Sequence, residues 1–140
     1  MSYDPQNPFG KILRGELPCV KVYEDDMTLA IMDIMPQAEG HVLVLPKEGA
    51  AEIFELSEAS AVACIRTTQR VAKAVKTALQ PPGVLIAQFN GRAAGQTVPH
   101  VHFHIVPRTE ATPLRPHAAE QADPDQLRAL AARIAAALPG

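Results

Sequence analysis

"QTVPHVHFHIVPR", residues 96–108, places His100, His102 and His104 at alternate positions, with Val101, Phe103 and Ile105 interleaved. Successive side chains of a strand point to opposite faces. A strand here therefore turns three imidazoles to one side and sends the three apolar residues into a core. The whole chain holds five histidines. Imidazole gains nothing over Thr or Lys on a plain solvated face, so the alignment reads as a site. Two chemistries fit it. Zinc needs ligating nitrogens about 2 Å away, whereas three alternate positions span about 13 Å at a rise of roughly 3.3 Å per residue. Convergence would take bent side chains, and no nearby Cys or Glu reinforces the cluster. The other chemistry is nucleophilic. An imidazole attacks phosphorus when one ring nitrogen is held unprotonated and the other donates to a fixed acceptor.

Just upstream, "NGRAAGQT", residues 90–97, sets Gly91 and Gly95 in a loop followed by Gln96 and Thr97. The backbone N–H groups of such a loop, with those side-chain donors, suit an anion. The glycines alone would mean only a turn. Followed at once by three aligned histidines, they read as a phosphate pocket.

Further out, β-branched content and turn boundaries predict five strands, over residues 19–23, 28–34, 41–46, 84–90 and 100–106. The trio Glu24-Asp25-Asp26 reads as a solvated hairpin turn. A short helix is expected over residues 8–14, capped by Asn7 with Pro8 at its first position. In residues 57–79, Ala61, Val62, Ile65, Ala72, Val75 and Leu79 recur at helical spacing, opposite Arg66, Gln69, Arg70, Lys73 and Lys76. Ser57 is its N-cap, and Pro81-Pro82-Gly83 ends it. Asp123-Pro124-Asp125-Gln126 supplies a cap, a first-turn proline and a capping-box glutamine. Leu127, Leu130, Ala131, Ile134 and Leu138 then form an apolar stripe, read as core or subunit contact. Residues 109–124 read as a Pro-rich loop carrying a solvated His117. The order predicts one α+β domain over residues 1–140, an antiparallel sheet of about five strands with one long helix and a C-terminal helix.

Composition excludes several classes. Apolar residues make up 47% of the chain and the formal net charge is −2, which suits a globular core rather than disorder. No apolar run approaches the roughly 18 residues of a membrane span, and MSYDPQNPFGK does not resemble a secretory signal. Cys19 and Cys64 form no C-x-x-C pattern and read as small buried hydrophobes in a reducing cytoplasm. With no Lys/Arg block, nucleic acid is not an expected partner.

At this point the sequence resembles a known family. His-Val-His-Phe-His-Ile-Val matches the histidine-triad (HIT) motif, in which histidines alternate with apolar residues. The resemblance runs over about residues 7–108, through "FGKILRGELPCVKVYEDD", "LAIMDIMPQAEGHVLVLPK" and "QFNGRAAGQTVPHVHFHIVPR". Order and spacing resemble the nucleotide-binding (Hint-like) and bacterial hydrolase branches. The resemblance implies a HIT-like sheet, a homodimer, no cofactor and a purine nucleotide ligand of the AMP or GMP kind. It implies His102 as the nucleophile, which attacks the α-phosphorus to form a nucleotidyl-imidazole that water cleaves. By the same resemblance His104 orients the nucleophile, His100 contacts the phosphate, and His41 is the fourth histidine of the cluster. Asp33 and Ile34 match the pair that holds the ribose. Asn90, Gly95, Gln96, Thr97 and Val98 match the surroundings of the phosphate and leaving group. Phe9, Ile12 and Ile31 match the base pocket, although core packing explains them nearly as well.

The departures narrow the reading. Many bacterial relatives hold a structural zinc through an N-terminal C-x-x-C and further histidines. Here the corresponding positions are Asn7 and Gly10, and Glu48-Gly49 stands where a histidine often follows Pro-Lys, so no metal is expected. The residue before the first triad histidine is usually aromatic and here is Pro99, so strand pairing must begin after it or skip it. The uridylyltransferase branch has a longer chain and a glutamine at the third triad position; the DNA-repair and decapping branches carry extra domains. A small hydrolase of nucleoside phosphoramidates remains, with a dinucleoside polyphosphate hydrolase or a slow nucleotide-binding regulator as alternatives.

Overall fold

A strand whose two sets of alternate residues are both apolar must be covered on both sides, and two central strands of this protein are of that kind. The computed structural model describes residues 2–115 and 120–139, so the reading of His117 lies outside the described residues. Helix α1 (Pro8–Leu13) is followed by β1 (Lys21–Glu24), β2 (Thr28–Met32), β3 (Val42–Pro46) and α2 (Glu58–Leu79). Then come β4 (Gly83–Gln88), β5 (Phe103–Arg108) and α3 (Pro124–Ala136). The five strands form one sheet in the order β1-β2-β3-β5-β4, every neighbouring pair antiparallel. Among the described residues, no helix is long and apolar enough to cross a membrane.

Every residue of β2 and β3 is buried. Ala30, Met32, Val42 and Val44 face the larger core with α2 and α3, while Leu29, Ile31, Leu43 and Leu45 face a smaller one with Phe9 of α1. Val101, Phe103 and Ile105 join the helix-side core. His104, paired across from Leu43, falls on the α1 side. The period-two alternation thus delivers the histidines to the sheet face that the long helices leave to α1.

Several expected boundaries move. Pairing of β5 starts at Phe103, not at residue 100: its partner β3 ends at Pro46, which has no N–H to donate, and the Pro46 carbonyl is taken by the His100 ring. Strand β2 stops at Met32, β3 starts at Val42 and β1 starts at Lys21. Strand β4 stops at Gln88 because Asn90 turns back, trading hydrogen bonds with the Gln88 amide and accepting from the Ile53 N–H. Asp25 is more than a solvated turn residue. Its carboxylate accepts from the Met27 and Thr28 N–H groups and from the Thr28 hydroxyl.

The helix caps follow the sequence, with one exception. Asn7, Ser57 and Asp123 accept from N–H groups of the first turns of α1, α2 and α3. Gln126 makes no capping box; its amide donates to Glu39 instead. The stripe of α3 is core, with Leu127, Leu130, Ala131 and Ile134 buried. In α2 the buried face is Ser60, Cys64, Thr67, Thr68, Val71, Ala74 and Val75, so Val62 and Ile65, expected inside, point outward.

Candidate active site

His100, His102 and His104 are all buried, as is His41 at the start of β3. Their ring nitrogens are fixed by neighbours whose hydrogen-bonding sense is known. The Gln37 N–H lies 3.1 Å from His41 Nδ1 and can only donate, so that nitrogen accepts. Asp33 Oδ2 also lies 3.5 Å from His41 Nδ1, but the shorter, directed N–H contact sets the neutral tautomer. His41 Nε2 then carries the proton and donates across 2.9 Å to His104 Nδ1, which leaves the His104 proton on Nε2. A backbone amide thus dictates the protonation pattern two rings away.

His102 is set independently. Its Nδ1 lies 2.7 Å from the His100 carbonyl oxygen, which can only accept. Nδ1 therefore carries the proton and Nε2 the lone pair. The ring stands between Phe9, edge-on at 4.9 Å between centroids, and His104 at 4.9 Å. His100 has both nitrogens spent inside the protein, Nδ1 on the Tyr3 hydroxyl at 2.7 Å and Nε2 on the Pro46 carbonyl at 2.8 Å. Burial pushes its imidazole below the usual histidine range, partly offset by the Pro46 carbonyl. So placed, His100 holds backbone and has no nitrogen left for a phosphate.

A cavity of about 370 Å³ opens on this face, lined by His102 and His104. Of the other expected residues, Phe9, Ile12, Ile31, Asp33, Ile34, Thr97 and Val98 line it too. Most of its wall is apolar, with the Asp33 carboxylate and the His102 and His104 imidazoles as its ionisable groups, which fits an amphipathic ligand with a flat apolar part and a polar, anionic part. Asp33 Oδ1 accepts from the Met35 N–H at 2.8 Å, which orients the carboxyl.

Besides His41 and His100, three expected residues do not line the cavity. Gln96 spends its amide hydrogens on the Ala51 and Val98 carbonyls and accepts from the Gly91 N–H. Asn90 is tied to Gln88 and Ile53. Gly95, at φ +104°, ends the single turn Arg92–Ala94, a conformation that favours glycine. These residues shape the loop that carries Thr97 and Val98. Sequence reasoning missed Leu17, Cys19, Met35 and Leu43 of the wall. Cys19, expected as a small buried hydrophobe, is only half-buried because it lines this cavity between α1 and β1.

Asp33, His41 and His104 bring ligand-type atoms within 4.8 Å of one another. Both ring nitrogens of His41 are already in hydrogen bonds, so a cation there would have to displace one of them.

Known proteins share the fold and much of the sequence. Residues 14–111 match the HIT domain. The chain is similar to the adenosine 5'-monophosphoramidase hnt1 of Schizosaccharomyces pombe, 45% identical over 100 residues that cover 71% of this chain and 72% of that one. It is similar to the crystal structure of a Hit-like protein from Bartonella henselae with an unknown ligand, with a TM-score of 0.93 and 45% identity over 99% of this chain and 100% of that one. It is also similar to a zinc-bound histidine triad family protein from Mycobacterium smegmatis, with a TM-score of 0.79 and 33% identity over 92% and 90% of the two chains.

Proposed function

Because this chain belongs to the HIT-domain family, we propose that it is a nucleotide hydrolase in which His102 attacks the α-phosphorus of a purine nucleoside phosphoramidate. The carrying observation is the 2.7 Å contact between His102 Nδ1 and the His100 carbonyl. It holds the proton on Nδ1 and presents an Nε2 lone pair in a ring that lines the cavity. Attack forms an Nε2–P bond and breaks the P–N bond, and the amine leaves with a proton taken from solvent, which the attacking water of the second step gives back. The imidazolium so formed keeps its Nδ1–H on the carbonyl, which stabilises the positive charge. Water then attacks phosphorus, breaks the Nε2–P bond and restores the neutral ring.

The other residues follow the cavity. His104, with its proton on Nε2, supports the nucleophile and neutralises developing charge on phosphate oxygen or leaving group. His41 sets that proton from behind. Asp33 accepts from ribose hydroxyls beside Ile34, Thr97 and Val98 flank the phosphate, and Phe9, Ile12 and Ile31 sandwich the base. The phosphoramidase reading is supported by the activity named for the fission-yeast relative. The unpaired Cys19 and Cys64 fit a reducing, cytoplasmic setting.

The protein acts as a homodimer in this reading. Strand β4 is one edge of the sheet, opposite β1, and Ile86 is 49% exposed while Ile65 of α2 is 55% exposed. Together with Ala72 and Val84 they line one groove. A second copy pairing β4 edge to edge would cover both and continue the sheet.

A structural zinc of the kind held by bacterial relatives does not fit here. Asn7 spends its carboxamide on the Gly10 N–H and the Asp4 carbonyl, and Gly10 and Gly49 offer no donor atom. The space between them is filled by Tyr3, whose ring would lie 2.6 Å from a Cβ at Gly49.

The function is tested by steady-state rates on an adenosine phosphoramidate and on diadenosine tetraphosphate, side by side. The phosphoramidate should turn over faster, rapid-quench mass spectra should show a nucleotidyl adduct, and His102→Ala should abolish both with binding within several-fold. Near-normal turnover of His102→Ala would overturn the mechanism, and preference for the tetraphosphate would overturn the substrate.

A further inference from the structure

The N-terminal segment carries a tyrosine that this reaction does not use. Tyr3 Oη lies 2.7 Å from His100 Nδ1, and its ring stands edge-on to the imidazole at 5.5 Å between centroids. On the far side His100 Nε2 faces the Pro46 carbonyl at 2.8 Å. A carbonyl only accepts, so Nε2 carries the proton and Nδ1 takes the phenol O–H. The reverse tautomer would set two lone pairs face to face in a site with no exposure to water, where an unmatched polar pair is costly.

The space for the phenol comes from two glycines. A Cβ at Gly49 would come within 2.6 Å of the Tyr3 ring, and one at Gly10 within 3.1 Å of Oη and 2.8 Å of the Pro5 carbonyl. Tyr3 therefore occupies the gap between α1, the chain leaving β3 and the His100 ring, where the residues at hand do not suit a metal.

What His100 holds is the backbone that orients His102. Residues 98–102 precede the first ladder pair of β5, so the sheet does not fix them. The segment is held by the Gln96 amide and the His100 N–H on the Val98 carbonyl, the Val101 N–H on the Ala50 carbonyl and the Val101 side chain in the core, and the His100 ring wedged between Tyr3 and Pro46. The His100 carbonyl in turn accepts from His102 Nδ1.

We propose that Tyr3 is a positioning residue for His102: its phenol, seated in the gap left by Gly10 and Gly49, locks the His100 ring against Pro46 and so fixes the carbonyl that orients His102. The proposal rests on the hydrolase reading only for its kinetic consequence.

The test uses the whole protein and Tyr3→Phe, which keeps the ring and removes the hydroxyl. Two-bond ¹H–¹⁵N spectra of the histidine rings should show His100 as the Nε2–H tautomer and His102 as the Nδ1–H tautomer in the unchanged protein. Tyr3→Phe should lose the single His100 tautomer and broaden or shift His102 Nδ1. Its kcat should fall roughly ten- to a hundredfold, the scale of a small misplacement of a reacting group, with KM within about twofold. Purified from zinc-supplemented cells, the unchanged protein should hold well below one zinc per chain. Unaltered histidine signals in Tyr3→Phe, a loss in KM alone, or stoichiometric zinc coordinated by His100 would each overturn the proposal. If the unchanged protein hydrolyses neither substrate, the hydrolase reading fails, and the nitrogen spectra still decide the role of Tyr3.

Discussion

The imidazoles of this site are specified by what cannot change protonation. Backbone N–H groups only donate and carbonyls only accept, so Gln37, Pro46 and the His100 carbonyl assign the neutral tautomers of His41, His100 and His102. His100 also links the site to stability. Burial lowers its proton affinity in the folded protein, while the unfolded chain binds that proton near pH 6.5. Below about pH 6.5 the unfolded state therefore holds more protons, and stability falls with pH until the folded state also protonates. Urea unfolding at pH 7.5 and 5.5 should show this loss, and His100→Asn should reduce the slope by up to one proton, about 1.4 kcal/mol per pH unit. An equal slope in the variant would show that His100 titrates alike in both states.

At the scale of elements, α2 is the member whose seating the sequence described least well. Its start is tied down by Ser57, whose hydroxyl accepts from the Ser60 N–H and lies 2.6 Å from Glu48 Oε1, to which it donates. Ser60 donates to the same oxygen, and these hydroxyls hold the Glu48 carboxyl below the usual carboxylate range. The N-cap thus also anchors the chain leaving β3 beside Tyr3. Ser57→Ala should destabilise the protein by about 1 kcal/mol, the usual cost of a lost cap, read as a lower urea midpoint with unchanged slope. A neutral result would mean that Glu48 alone can cap the helix.

For the whole molecule, the proposed homodimer rests on the edge position of β4. A long, exposed, apolar edge strand is a template for pairing, and Ile86 and Ile65 put apolar side chains on the same groove. Light scattering behind gel filtration should give twice the chain mass. Ile86→Lys should shift that mass towards a single chain, because a charge would be desolvated at the joint. A dimer unaffected by Ile86→Lys would place the interface elsewhere.

What the sequence determined by itself was local in origin. Alternation over residues 100–105 assigned the two faces of β5, caps and prolines marked the helix starts, and the histidine motif with its flanks identified the HIT family. Each of these rests on residues within a few positions of one another, where period and cap chemistry act directly. The tertiary structure decided the rest. Pairing begins at Phe103 because Pro46, far away in the chain, ends β3. Gln96 serves the loop because the Ala51 carbonyl comes within 2.7 Å. Val62 and Ile65 turn outward because the sheet meets the Cys64–Val71–Val75 face of α2, and both faces carry apolar residues at helical spacing. Tyr3 reaches His100 across 97 positions of sequence. Contacts of that separation leave no periodicity to read, so only folding brings the hydrogen-bonding partners together and sets the protons of the site.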